Sequence, residues 1–220
     1  MERKRFQQID YVVRMPKAFE EGKQYPLVIY LHGAGGRGRD LDIIYTHPFF
    51  SDTVEYLDGA VCVAPQCYED SWFSIFEQLQ EFVNHARHWS CVDITRVYLV
   101  GASMGGYGTW QLAMARPEWF AAIVPICGGG MYWNAGRLVH MGVWAFHGDE
   151  DGCVYPEESK KMVDIIQSGG GSAKLTLYKN TGHNAWTPTF QDKNVWEWLL
   201  SHQVKYEQTR NEYDNVEQFG

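Results

Sequence analysis

The stretch Arg96-Val97-Tyr98-Leu99-Val100-Gly101-Ala102-Ser103-Met104-Gly105-Gly106-Tyr107-Gly108 decides the fold of this chain. Its apolar start is typical of a buried strand, and residues 109–115, which follow it, carry a helical pattern. The Gly-x-Ser-x-Gly motif between them predicts a nucleophile elbow, in which Gly101 and Gly105 permit a sharp turn and close packing of strand and helix. Ser103 is therefore the candidate nucleophile, and a solvated serine in a glycine-rich turn is the less favoured alternative.

Around this stretch, apolar runs of strand length alternate with helical patterns, which favours an α/β fold. We expect a mostly parallel, doubly wound sheet with helices on both faces. Most predicted strands are continuously apolar, as in strands buried on both faces, whereas the last alternates and should lie near an edge. The predicted strands cover residues 10–14, 27–31, 60–64, 97–100, 122–126, 143–146 and 174–178.

The predicted helices are bounded by capping and breaking residues. One covers residues 74–89, and a second follows Ser103 and ends before Pro117. A third begins at Pro156 and ends at the serine and glycines of residues 168–171. The last covers residues 192–200 and is expected to turn Val195, Trp198 and Leu199 inward.

Length and composition predict one domain over residues 1–220, with a polar tail at 203–220. The chain is 45% hydrophobic and 21% charged, which is typical of a globular protein. Its net charge of −8 argues against nucleic acid or an anionic membrane as a partner, because both need clustered Lys and Arg. No apolar run is long enough to predict a membrane span, and the basic N-terminus lacks the apolar stretch of a signal peptide. We expect that N-terminus to be a solvated strand end.

The five cysteines include no Cys-x-x-Cys pair, and several lie in apolar runs. Free thiols in a reducing compartment fit this usage, so we expect a cytoplasmic location. No spaced set of His, Cys and carboxylates suggests a metal site. The glycines of residues 33–38 match neither a dinucleotide-binding nor a Walker pattern, so no cofactor is expected.

A serine hydroxyl needs a base, and the base needs an orienting acid. In a fold with this elbow, the acid and then the histidine follow the serine along the chain. The acidic loop after the strand at 143–146 offers Asp151, which precedes a glycine, with Asp149 as the alternative. The base is predicted to be His183, in the loop after the last strand.

An oxyanion hole needs two N–H donors. The motif predicts the N–H of Met104, the residue after the nucleophile, and an N–H of the glycine-rich loop after residue 31. In that loop we select Ala34, with Gly35 as the alternative and as a candidate substrate contact. Trp72 and Trp186 lie in predicted loops near the site and are candidate aromatic walls for a substrate, although packing is the commoner role of tryptophan.

Taken together, the chain resembles the α/β-hydrolase superfamily. Within it, the chain is most similar to the small serine esterases grouped with phospholipase/carboxylesterase, feruloyl-esterase-like and dienelactone-hydrolase-like proteins. The resemblance rests on residues 25–35, 63–67 with Trp72, the elbow, and residues 182–186. It implies that Asp151, three residues after the glycine of a His-Gly pair, is the acid and that Ala34 is an oxyanion donor. Dienelactone hydrolases proper carry cysteine at the elbow, and Ser103 departs from them.

The resemblance also implies two-step acyl transfer on a small-molecule ester. We expect a serine carboxylesterase for short-acyl or aromatic-acyl esters, including carbohydrate-linked ones. A thioesterase or small serine peptidase using the same site is the alternative, and a binding protein with a vestigial pocket is a third hypothesis. No long insertion separates the late strands, so the site should be open. The sequence does not indicate an oligomeric state.

Overall fold

The computed structural model describes residues 1–204, so nearly all of the predicted tail at 203–220 lies outside the described residues. The strands are β1 (Glu2–Phe6), β2 (Ile9–Arg14), β3 (Tyr25–Leu31), β4 (Val61–Pro65), β5 (Val92–Ala102), β6 (Ala122–Ile126), β7 (Gly142–Gly148) and β8 (Lys174–Tyr178). The helices are α1 (Asp42–Tyr45), α2 (Pro48–Asp52), α3 (Phe76–Arg87), α4 (Met104–Ala115), α5 (Glu157–Ser168), α6 (Trp186–Gln191) and α7 (Lys193–Leu200).

The strands form one eight-stranded sheet in the order β1-β2-β4-β3-β5-β6-β7-β8. β1 pairs antiparallel with β2, and β2 pairs antiparallel with β4, whereas all pairs from β4 to β8 are parallel. One apolar cluster packs α3, α4 and α5 on one face of the sheet. A second cluster packs α1, α2, α6 and α7 on the other. The predicted doubly wound, mostly parallel sheet with helices on both faces is therefore confirmed.

Burial along the strands follows the sequence pattern. Every residue of β3 is buried, as expected of a strand covered on both faces. β8 has no buried residue and lies at one edge of the sheet, which confirms the prediction from its alternating sequence. The basic segment at the start of the chain forms β1, an exposed strand at the opposite edge. Charged side chains suit an edge because they oppose pairing with another chain.

One prediction for α7 was wrong. Val195, Trp196 and Leu199 are buried, whereas Trp198 is only partly buried. The indole Nε1 of Trp196 donates to the carbonyl of Phe190 at 2.8 Å, which satisfies its polar atom in the core. Trp198 instead packs edge-on against Trp144 near the sheet edge.

Among the described residues, no helix has both the length and the apolar character that crossing a membrane requires.

Candidate active site

Ser103 lies in a tight turn between β5 and α4, with φ +56° and ψ −118°, a conformation that is strained for a residue with a side chain. A Cβ on Gly101 would lie 2.2 Å from the carbonyl oxygen of Gly105, and one on Gly105 would lie 1.9 Å from that of Leu31. The turn and the packing of α4 on β3 therefore require both glycines of the motif. The N–H of Ser103 donates to the carbonyl of Ile126 at 2.9 Å, which ties the turn to β6.

The structure brings Ser103, His183 and Asp151 together. His183 Nε2 lies 2.8 Å from Ser103 Oγ, and His183 Nδ1 lies 2.7 Å from Asp151 Oδ2. Because a carboxylate oxygen accepts, Nδ1 carries the proton of the neutral ring and Nε2 is free to accept from the serine hydroxyl. This arrangement can transfer a proton from Ser103 to His183 while Asp151 stabilises the charge that develops on the ring.

The carboxylate of Asp151 is buried but fully satisfied. Oδ1 accepts from the N–H groups of Cys153 at 2.8 Å and Val154 at 3.0 Å, while Oδ2 faces His183. Burial alone would raise the pKa of Asp151, but the hydrogen bonds from His183, Val154 and Cys153 outweigh it and hold that pKa below its ordinary value. Asp151 therefore stays ionised beside His183.

Backbone contacts hold the acidic loop and the histidine loop together. The N–H of Asp149 donates to Tyr178 and that of Glu150 donates to Thr181, both at 3.0 Å. Gly148 lies so close to this loop that a Cβ would meet the carbonyl of Thr181 at 2.2 Å. Asp149, the alternative acid, directs Oδ1 to the N–H of Thr181 at 3.4 Å. Of the two carboxylates, the structure places Asp151 against His183 and Asp149 in the support of the turn.

Two backbone N–H groups near the serine are open to a ligand. Within residues 1–204, neither Ala34 nor Met104 donates its N–H to another protein group. Met104 opens α4 directly after Ser103, and a Cβ on Gly33 would lie 3.4 Å from Ser103 Cβ. Both predicted oxyanion donors therefore lie next to the nucleophile. Gly35, the alternative, lies one residue further out and is exposed.

His32 supports the loop that carries Ala34, a role that the sequence did not suggest. Its Nδ1 lies 2.6 Å from the carbonyl oxygen of Gly33, and its Nε2 accepts from the N–H of Cys67 at 2.9 Å. Burial lowers the pKa of His32 to about 4, so the ring is neutral with its proton on Nδ1. In a trans peptide the C=O and the next N–H point in opposite directions. Fixing the carbonyl of Gly33 therefore turns the N–H of Ala34 away from His32.

Cys127, Asp151 and His183 place three potential ligand atoms within 4.8 Å of one another. Their chemistry favours a hydrogen-bonded site over a metal centre. Burial raises the pKa of Cys127 to about 12, so without a metal its sulfur is a protonated thiol. The facing atoms of Asp151 and His183 bond to each other instead. Cys127 has a positive φ of 40° and packs beneath the site.

Of the two tryptophans predicted to contact substrate, Trp72 is buried away from the site and Trp186 lies beside it. Trp72 is fully buried and donates its Nε1 to the carbonyl of His32 at 3.0 Å. It packs against Gly108 behind the loop that carries Ala34, so its burial argues against the predicted contact with substrate. Trp186 is partly exposed, and its ring lies edge-on to His183 with 5.6 Å between centroids. It is therefore placed beside the candidate site.

A cavity of about 350 Å³ adjoins the first turns of α4. It is lined by Phe73, Tyr107, Gln111, Gly130 and Met131. The N–H of Tyr107 donates to the carbonyl of Ser103, so the cavity begins within one helical turn of the nucleophile. The sequence predicted an aromatic wall but assigned it to other residues, because only the fold brings the segments around Phe73 and Met131 onto α4.

No family model matches the chain. The protein named "Probable feruloyl esterase C" of Aspergillus terreus is 25% identical over 179 residues, which cover 79% of this chain and 66% of that protein. Feruloyl esterase D of Neurospora crassa is 23% identical over 175 residues, covering 73% of this chain and 59% of that protein. This chain thus spans less than two thirds of both relatives.

Solved structures with a similar fold include esterases. A thermostable esterase is 30% identical with a TM-score of 0.74, and the match covers 89% of this chain and 59% of that one. Est1E from Butyrivibrio proteoclasticus is 16% identical with a TM-score of 0.69, and the match covers 88% of this chain and 93% of that one. At that identity the second likeness concerns the fold alone.

Proposed function

We propose that this chain is a member of the α/β-hydrolase superfamily and hydrolyses carboxylic esters with Ser103 as the nucleophile. The observation that carries the proposal is the continuous hydrogen-bond chain from Ser103 Oγ through His183 to Asp151, with contacts of 2.8 and 2.7 Å. Nucleophile, base and orienting acid are within reach of one another before any substrate binds. The esterase names of the sequence relatives and of the 30% identical structure support the same reaction class.

The proposed reaction has two steps. His183 Nε2 takes the proton of Ser103 as Oγ attacks the ester carbonyl, and the oxyanion forms opposite the N–H groups of Ala34 and Met104. His183, charged and stabilised by Asp151, then gives that proton to the leaving alcohol, which leaves an acyl-enzyme. Water attacks the acyl carbonyl by the same proton transfers and releases the acid.

For the substrate, we propose an ester with a short-acyl or aromatic-acyl group, including one linked to a carbohydrate. The cavity next to α4, one helical turn beyond Ser103, is small, and Phe73, Tyr107 and Met131 give it a largely apolar and aromatic lining that suits a planar ring. The names of the feruloyl esterase relatives support an aromatic acyl group.

All five cysteines are free, which supports the proposed cytoplasmic location.

Hydrolysis of p-nitrophenyl esters from acetate to octanoate tests this proposal, together with methyl esters of cinnamic acids. We expect turnover of short and aromatic acyl groups that falls with chain length. Ser103→Ala should lower turnover by about three or more orders of magnitude. Ser51→Ala, an exposed serine of α2, is the matched control and should retain activity. Equal turnover in Ser103→Ala would contradict the proposal.

Matched ester, thioester and amide substrates separate the remaining reaction types. The ester should be hydrolysed fastest. Turnover of the thioester or amide alone, still dependent on Ser103, would identify a thioesterase or peptidase that uses the same site. A folded protein that turns over none of them would indicate a binding role.

A further inference from the structure

A second histidine contacts the acid of the proposed triad. His147, the residue before the last one of β7, places Nε2 at 3.2 Å from Asp151 Oδ2 and at 2.9 Å from the carbonyl oxygen of Val154. The same Oδ2 bonds to His183 Nδ1 at 2.7 Å. Both partners of His147 Nε2 can only accept, so this nitrogen carries a proton. The His147 N–H is hydrogen-bonded to Val154, and it lies close enough to Asp151 Oδ2 to interact with that oxygen as well.

The other side of His147 leads toward the cavity next to α4. Its Nδ1 lies 2.8 Å from Ser159 Oγ in α5, and the same hydroxyl lies 2.9 Å from the carbonyl oxygen of Gly128, so its one proton can be given to either of these two acceptors. His147 and Ser159 are fully buried. Gly128 packs on α4, where a Cβ would lie 2.7 Å from the nitrogen of Tyr107, and it opens the segment that lines the cavity at Gly130 and Met131. The contacts thus run from the acid to the cavity wall.

The charge of His147 depends on its burial and on its neighbours. Asp151, His183 and Glu157 are titratable groups that interact with it. Burial lowers its pKa below the ordinary value, although the contacts with Val154 and Asp151 oppose that shift. At neutral pH the ring is therefore an uncharged donor. The dipole of this N–H, 3.2 Å from Oδ2, stabilises part of the carboxylate charge, which affects how strongly Asp151 holds the His183 imidazolium.

We propose that His147 is a positioning residue that orients Asp151 and moderates its hold on His183, and that Ser159 joins it to the cavity segment 128–131. The proposal deepens the esterase function proposed above and rests on it. Loss of the N–H beside Oδ2 leaves a more basic carboxylate, which holds the His183 imidazolium more strongly. Loss of the Ser159 hydroxyl frees the cavity segment and leaves the acid in place.

Two amide substitutions of His147 distinguish the contacts of its Nε2 from those of its Nδ1. In H147Q the longer side chain brings an amide to the position of Nε2 and keeps a donor on Asp151, whereas in H147N the amide reaches only the position of Nδ1. We would measure kcat/KM against pH for both variants and for Ser159→Ala. Thr53→Val is the matched control, because Thr53 carries another buried hydroxyl, which donates to the carbonyl of Phe49 in α2.

We expect H147N to move the acid limb of the kcat/KM profile up by about half a pH unit or more and to lower kcat/KM at pH 7 about tenfold. H147Q should keep the acid limb of the wild type. Ser159→Ala should raise KM more than it lowers kcat, and Thr53→Val should change neither. Equal acid limbs in folded H147N and the wild type would overturn the proposal. Equal shifts in H147N and H147Q would also overturn it, because they would indicate packing alone.

NMR titration of the His183 ring gives a readout that does not need turnover. If the wild type hydrolyses no ester, the esterase proposal fails, but H147N should still move the His183 titration midpoint upward relative to H147Q. If the wild type is active and that midpoint is the same in both variants, the role of His147 is refuted while the esterase function stands.

Discussion

Single residues around Asp151 decide whether the proposed reaction can run. Its Oδ1 accepts two backbone N–H groups, which favour the orientation that presents Oδ2 to His183. Asp149, two residues earlier, faces the N–H of Thr181 instead. The two carboxylates lie in the same loop and carry the same charge. Only Asp151 contacts His183 and can stabilise the histidine tautomer that accepts a proton from the serine.

The two carboxylates can be distinguished by a pair of matched substitutions. Asp151→Asn should lower kcat by about three to four orders of magnitude, because an amide facing Nδ1 favours the wrong histidine tautomer. Asp149→Asn should retain kcat within about tenfold, since an amide oxygen can still accept from Thr181. The rates are measured on the best p-nitrophenyl ester at pH 8. A larger loss in Asp149→Asn than in Asp151→Asn would reverse the assignment.

At the scale of single residues, the sequence predicted those that belong to a motif or that occur in a fixed order along the chain. Ser103 and His183 could be selected because strand, turn and helix context narrows the choice, and the structure brings both together with Asp151. His32 and His147 could not be assigned, because a histidine at a strand end has the same sequence signature whether it packs, binds or positions. Trp72 was misplaced for a similar reason: its loop position is visible in the sequence, whereas its burial depends on the fold.

At the scale of elements, α2 depends on a histidine cap. His47 precedes the helix, and its Nδ1 accepts from the N–H of Phe49 at 3.1 Å. Burial lowers the pKa of His47 to about 4. A protonated Nδ1 could no longer accept, so the cap requires the neutral ring. The short helix, which packs Phe49 and Phe50 into the core, is therefore coupled to pH.

The sign of this coupling follows from the two pKa values. An unfolded histidine takes up a proton near its ordinary value of 6.5, while folded His47 resists protonation until about pH 4. Between those values the unfolded state binds more protons, so the free energy of unfolding falls as the pH is lowered. We expect the wild type to lose about 1–2 kcal/mol more than His47→Asn between pH 7 and 5.

Urea denaturation at several pH values would measure that difference. His47→Asn is the informative variant, because asparagine caps helices well and does not titrate. Ser51→Ala in the same helix is the control and should follow the slope of the wild type. If His47→Asn and the wild type lose stability in parallel, His47 does not carry the pH dependence.

Apolar strands and long helices were predictable, and short helices were not. The patterns at residues 74–89, 97–100 and 122–126 match α3, the inner part of β5 and all of β6. The helices α1, α2 and α6 have only four to six residues, too few for a helical period to emerge. Their apolar residues pack onto one face of the sheet, so tertiary contacts rather than local pattern determine them.

At the scale of the whole molecule, the chain carries a net charge of −8. Asp149, Glu150, Glu157 and Glu158 lie in and after the loop that carries Asp151. Burial raises the pKa of Tyr107, and the charges of Glu158 and Asp151 raise it further. Because Tyr107 lines the cavity, the negative potential of this region extends to where a substrate would bind. The cavity should therefore disfavour esters that carry a carboxylate.

Two aromatic esters of similar shape test that expectation, methyl benzoate and the anionic monomethyl ester of terephthalic acid. The neutral ester should have the higher kcat/KM, and about 0.5 M salt should narrow the gap by screening. Glu158→Gln should raise the relative kcat/KM of the anionic ester by about two- to fivefold at low salt. Glu157→Gln makes the same change of charge at an exposed residue that pairs with Lys160, and it should have the smaller effect. Both variants alter the net charge of the molecule equally. A larger change in the relative kcat/KM of the anionic ester in Glu158→Gln would therefore show that the local potential selects the substrate. Equal changes would instead assign the selectivity to the charge of the whole molecule, and no change in either variant would refute a role for charge.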